Sequence, residues 1–103
     1  MPRWLPKILR RIRERAAARE VTFTLKALRE LANLDPGLDE EDACEILVNL
    51  TAEDSVGRIE SATTGEWMYL FKPPLAGIVL YVKLILRGNC VVISFHEDEE
   101  GSS

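Results

Sequence analysis

Apolar residues at Leu5, Ile8, Leu9, Ile12 and Ala16 recur at helical spacing, and Lys7, Arg10, Arg11, Arg13 and Arg15 fill the surface between them. Residues 1–20 therefore predict a basic amphipathic helix. "VTF" adds a short strand, Thr24 caps a second helix running to about Leu34, and "DPG" breaks the chain. Asp39 caps a third helix, "EEDACEILVNL", whose acids Glu40, Glu41 and Asp42 suit the positive end of a helix and need no function. After Thr51 the period changes from 3.6 to 2. "RIESA" reads as a short edge strand, "EWMYLF" as a clearer one in which Trp67, Tyr69 and Phe71 alternate, and "KPPLAG" as the link to two final apolar runs. Helices first and strands afterwards predict an α+β fold, with N-terminal helices packed on an antiparallel β-sheet.

The last two runs flank Gly88-Asn89, a pair that closes a two-residue hairpin turn. If Arg87 pairs with Cys90, then Leu86 faces Val91, Leu84 faces Ile93 and Val82 faces Phe95, all on one side. The other side receives Ile85 with Val92, Lys83 with Ser94, and Tyr81 with His96. A phenol, an ammonium, a hydroxyl and the chain's single imidazole thus converge on one patch. A solvated sheet face carries polar residues without any chemistry. The identities here are more specific, because imidazole is the side chain best suited to proton transfer near neutral pH.

The 103 residues suffice for one compact domain, 1–103, and not for two. Cys44 and Cys90 lie in a helix-like and a strand-like segment with no ligand partners at metal spacing, which reads as packing thiols in a reducing compartment. No apolar run is long enough to span a bilayer, and the first twenty residues are too charged for a signal-peptide core. The expected location is cytoplasmic, with no membrane partner. The net charge of −4 is split: nine Lys and Arg stand against three acids through Glu30, and four against fourteen thereafter. That excludes indiscriminate nucleic-acid binding and leaves a local basic surface. Residues 97–103 form an acidic tail expected to fray.

The blocks "LDEEDACEILVNL", "EDSVGR", "GEWMYLFKP", "YVKLIL" and "VVISFHE", in this order and near this spacing, resemble the MqsR family of toxins from bacterial toxin–antitoxin pairs. The resemblance runs from about Val21 to Glu97. It implies a RelE-like fold and an endoribonuclease that cleaves messenger RNA without metal, cofactor or ribosome. It also implies a partner antitoxin with a zinc-binding region and a helix-turn-helix DNA-binding region. The family's tyrosine falls on Tyr81, the strand's following lysine on Lys83, and the basic residue near the end of the last strand on His96. The family's lysine after the third helix falls near Gly57 or Arg58, making Arg58 the candidate. A glutamine common after the strand tryptophan is Met68 here.

The resulting expectation is a catalytic set of Tyr81, His96 and Arg58, with Lys83, Lys72 and Met68 as substrate contacts and no metal. Cleavage by the 2′-hydroxyl needs a base, an acid and positive charge on the phosphorane, which these residue types supply. Glu66 shares strand parity with Met68 but reads as an ordinary surface carboxylate. The competing expectation is a non-catalytic module that binds RNA or protein.

Overall fold

The structure, a computed structural model, describes residues 1–99. Three helices, α1 (Leu5–Ala17), α2 (Leu25–Ala32) and α3 (Glu40–Val48), accompany strands β1 (Val21–Phe23), β2 (Ser55–Glu60), β3 (Trp67–Phe71), β4 (Pro74–Leu75), β5 (Ile78–Arg87) and β6 (Asn89–Glu97). The expected α+β architecture is present. The main sheet runs β1-β6-β5-β3-β2, and β4 pairs with β5 off that path. One expectation is corrected: the sheet is mixed, because β1 runs parallel to β6. The chain leaves β1 directly into α2 and returns to β6 only at the C-terminal end, and such a distant return sets no antiparallel turn.

The predicted caps form. The Thr24 hydroxyl accepts from the Ala27 N–H, and Asp39 and Asp42 exchange side-chain and backbone bonds in a capping box. The apolar stripe of α1 is buried against α3 and the sheet. Arg13, expected on a solvated face, instead donates twice to the Leu50 carbonyl just beyond α3, tying the two helices together. Both cysteines are buried free thiols, and burial pushes the Cys90 thiol up to about 12.

The hairpin differs from its expected turn yet keeps its functional register. Arg87 pairs with Asn89, so Gly88 alone turns the chain, at a φ of 80° that favours glycine. The offset is absorbed by a bulge at Ile93, beyond which Lys83 faces Ser94, Val82 faces Phe95 and Tyr81 faces His96. The bulge sits where the outer edge of β6 changes partner. Val92 O accepts from the Thr24 N–H, Ile93 O accepts from the Thr24 hydroxyl, and α2 takes over from β1. The expected fraying tail is partly corrected as well. Glu97 closes β6, and the Asp98 N–H donates to Val79 O with its carboxylate 3.2 Å from Lys72 Nζ. Residues 100–103 lie outside the described residues.

Candidate active site

Alternation along β5 and β6 sends Leu80, Val82, Leu84 and Phe95 into the core beneath the helices, all with no exposed surface. Tyr81, Lys83, Ser94 and His96 go to the opposite side. The Tyr81 and His96 rings stack with centroids 5.1 Å apart and planes 17° from parallel, within the range of favourable offset stacking. His96 Nδ1 lies 2.7 Å from the Glu97 carbonyl oxygen. A carbonyl can only accept, so Nδ1 carries the proton. In the neutral ring the lone pair is then on Nε2, which lies 4.0 Å from Glu30 Oε2.

Glu30 and Lys26, on α2, complete this cluster, and sequence reasoning missed both. Lys26 Nζ donates to Ser94 Oγ at 2.9 Å and to Glu30 Oε2 at 2.9 Å, while Glu30 Oε1 accepts from the Phe95 N–H at 3.0 Å. The helix thus satisfies a strand donor that lies past the end of β1, and at the same time sets a carboxylate before the imidazole. Spacing of four between Lys26 and Glu30 was the available signal, but it reads as an ordinary helical ion pair.

Burial pushes the Glu30 carboxyl up, but the hydrogen bonds from Lys26 and the Phe95 N–H, with the nearby Lys26 and His96 charges, outweigh it and hold it below its usual range. A carboxyl depressed in the folded state contributes stability that is present above its unfolded value of about 4.3 and is lost as pH falls through the folded value. Glu30→Gln keeps an acceptor for the Phe95 N–H and removes the charge. Its melting temperature should therefore fall less than that of the parent chain as pH drops from about 7 to 3. An unchanged acid limb would show that this carboxylate is not held as described.

The cleft above the sheet is lined by Tyr81, His96, Lys83, Ser94, Lys26 and Glu30, together with Lys72, Asp98 and Glu99. Lys83 makes no ion pair with any described residue and is the cation most available to a substrate. Lys72 is in the cleft as expected but engaged with Asp98.

Two expected members lie elsewhere. Arg58 pairs with Tyr69, which pairs with the buried Leu84, so Arg58 belongs to the helix-covered side of the sheet, away from Tyr81 and His96. A bulge between Ser55 and Gly57 produces this parity. Gly57, at a φ of 114°, takes the position on the cleft side instead, paired with Leu70, and brings no side chain to it. Met68 is on the cleft side, as its parity predicted, but it lies beyond Leu70 and does not line the cleft. Glu66 forms a two-bond pair with Arg87 that holds its carboxyl below the usual range. No group of three His, Cys, Asp or Glu among the described residues is disposed to hold a metal ion. None of the helices among them is long and apolar enough to cross a membrane.

An α+β layer thus carries, on one face of its sheet, a cleft in which three lysines, three acids and the stacked Tyr81–His96 pair meet. A family model described as motility quorum-sensing regulator, toxin of MqsA, matches residues 6–97. The chain belongs to this MqsR toxin family, a family of toxins from toxin–antitoxin systems, and the match extends the resemblance back through α1. A cognate antitoxin is its implied partner. No curated protein sequence matches the chain.

Proposed function

We propose that the chain is a metal-independent endoribonuclease that cleaves messenger RNA by attack of the 2′-hydroxyl on the adjacent phosphorus. The observation that carries this reading is the Tyr81–His96 stack with Nδ1 committed to a carbonyl, which leaves Nε2 free to accept a proton. His96 Nε2 takes the 2′-hydroxyl proton, and the Glu30 carboxylate faces the charge that the ring acquires. Lys83 stabilises the added negative charge on the phosphorane. The 2′-oxygen bonds to phosphorus, the bond to the 5′-oxygen breaks, and the Tyr81 hydroxyl protonates the departing oxygen. The products are a 2′,3′-cyclic phosphate and a 5′-hydroxyl. Arg58 has no part in these steps.

The setting on this reading is cytoplasmic, where the antitoxin, with zinc-binding and helix-turn-helix regions, restrains the toxin. The outer edge of β2 offers it unpaired backbone groups for strand addition. A second reading, a non-catalytic RNA- or protein-binding module, draws on Gly57 and Met68, which bring no polar group to positions where related toxins carry lysine and glutamine.

Incubating purified chain with a long RNA in EDTA and mapping the ends separates these readings. Cleavage should persist and leave cyclic phosphate ends. Dependence on added magnesium, or 5′-phosphate ends, would rule out the mechanism, and intact RNA would favour the binding module.

A further inference from the structure

Arg58 is left without a role once the cleft is described, yet its surroundings are unusual for an arginine in this chain. Its guanidinium carbon lies over two indoles, 3.8 Å from the Trp67 centroid and 4.7 Å from that of Trp4, and Trp4 in turn packs 5.6 Å from Tyr69. Arg13, Arg15, Arg19 and Arg87 spend their N–H groups on protein oxygens, and the other arginines without such a partner among the described residues, Arg3, Arg10, Arg11 and Arg29, stack on no aromatic ring there. The Arg58 N–H groups make no hydrogen bond or ion pair with the described residues, Glu60 two positions along the strand included. Pinning α1 to the sheet accounts for the indole contacts. It does not account for a set of donors held in place with nothing to donate to.

Trp4 stands in the most basic stretch of the chain, and Glu60, paired with Trp67, puts one acid on the same face of β2. Lys7 and Arg11 follow Trp4 at three and seven positions along α1, which puts them on one side of the helix. No acid occurs in the sequence before Glu14. Trp67 is 40% exposed, an indole at the surface beside the cation. An arginine already ordered and partly dehydrated on aromatic rings loses little on binding an oxyanion, and its fork of donors matches a phosphate. Exposed indole surface next to phosphate-binding cations is the combination by which single-stranded nucleic acid is held without sequence readout.

Building on the nuclease reading, we propose that Arg58, with Lys7 and Arg11 on the Trp4 side of α1, is a second RNA-binding site that takes backbone phosphate on the sheet face opposite the cleft. β2 is the outermost strand and lies two strand spacings from β5, about 10 Å, so a single strand leaving the cleft reaches this site by passing round the free edge of β2. The site contributes affinity for long RNA and takes no part in proton transfer.

The test uses a fluorescent 2′-O-methyl single-stranded RNA, which binds but cannot be cleaved, titrated by anisotropy over a salt series with the full chain. The logarithm of affinity against the logarithm of salt should lose about 0.7 of slope in Arg58→Gln and about twice that in the Lys7→Gln, Arg11→Gln double variant. A variant that retains its near-ultraviolet circular dichroism but keeps the parental slope overturns the proposal, as does a parent chain that does not bind the probe. If Arg58→Gln fails to fold, the double variant on α1 decides alone. Unchanged RNA binding with weakened antitoxin binding in these variants would assign the surface to the protein partner and remove the RNA site. Failure of the nuclease reading shows separately, as unmodified RNA left uncut by a chain that binds the probe with an Arg58-dependent slope.

Discussion

His96→Ala and Tyr81→Phe should each lower RNA cleavage by about 10²–10⁴-fold, the usual contribution of a positioned acid or base. Both side chains are half-buried on the cleft side of the hairpin and neither belongs to the core. Each substitution should therefore cost no more than about 1 kcal/mol of stability, the stacking contact included. Tyr81→Phe is the sharper of the two, since it keeps the ring on His96 and deletes only the hydroxyl proposed to protonate the leaving oxygen. Because both groups serve one proton-transfer sequence, the double variant should be less impaired than the product of the singles. Cleavage rates compared at matched folded fraction, read from melting curves, check both statements together.

One position along from His96, the expected effect reverses in kind. Phe95 has no exposed surface and packs in the core beneath the helices, so Phe95→Ala should cost about 3–5 kcal/mol through lost burial and the cavity left behind. That is a large share of the stability of a domain this size, which totals about 5–15 kcal/mol. The fraction that remains folded should retain its cleft, because Tyr81, Lys83 and His96 stand on the other side of the strands. Chemical denaturation gives the loss, and single-turnover cleavage under stabilising conditions gives the retained activity. A mild loss of stability here, or a severe one at His96, would mean that the two faces of the hairpin are exchanged.

The pairing on which both predictions rest was legible in the sequence for an instructive reason. Two departures cancel: the turn uses Gly88 alone rather than Gly88-Asn89, and the bulge at Ile93 restores the offset before Ser94 is reached. The tip pairs therefore differ from expectation, with Leu84 facing Val92 and Leu86 facing Cys90, while Tyr81 faces His96 as alternation required. Neither change could be read locally, since the bulge answers to the handover from β1 to α2 at the edge of β6. Glu30 escaped notice for the same reason. Nothing in "TLKALRELAN" announces that its carboxylate will cap a strand N–H sixty-five positions away.

Arg58 shows the converse. Its place in the catalytic set rested on the resemblance, which set the family's lysine near Gly57 or Arg58, and a single bulge near Val56 put Gly57 on the cleft side and sent the guanidinium to the indoles of Trp4 and Trp67. Periodicity and caps are set by neighbours in the chain, so the helices were readable nearly residue by residue. Bulges and edge contacts are set by partners brought together only by the fold, and these decide which candidate residues meet.

The most direct measurement of the central claim is the single-turnover rate of RNA cleavage between about pH 5 and 8 for the parent chain and His96→Ala, in EDTA. The account predicts a parent rate that changes with pH, and in the variant a rate about 10²–10⁴-fold lower that lacks that dependence. Equal rates and matching pH profiles for the two folded proteins would contradict it.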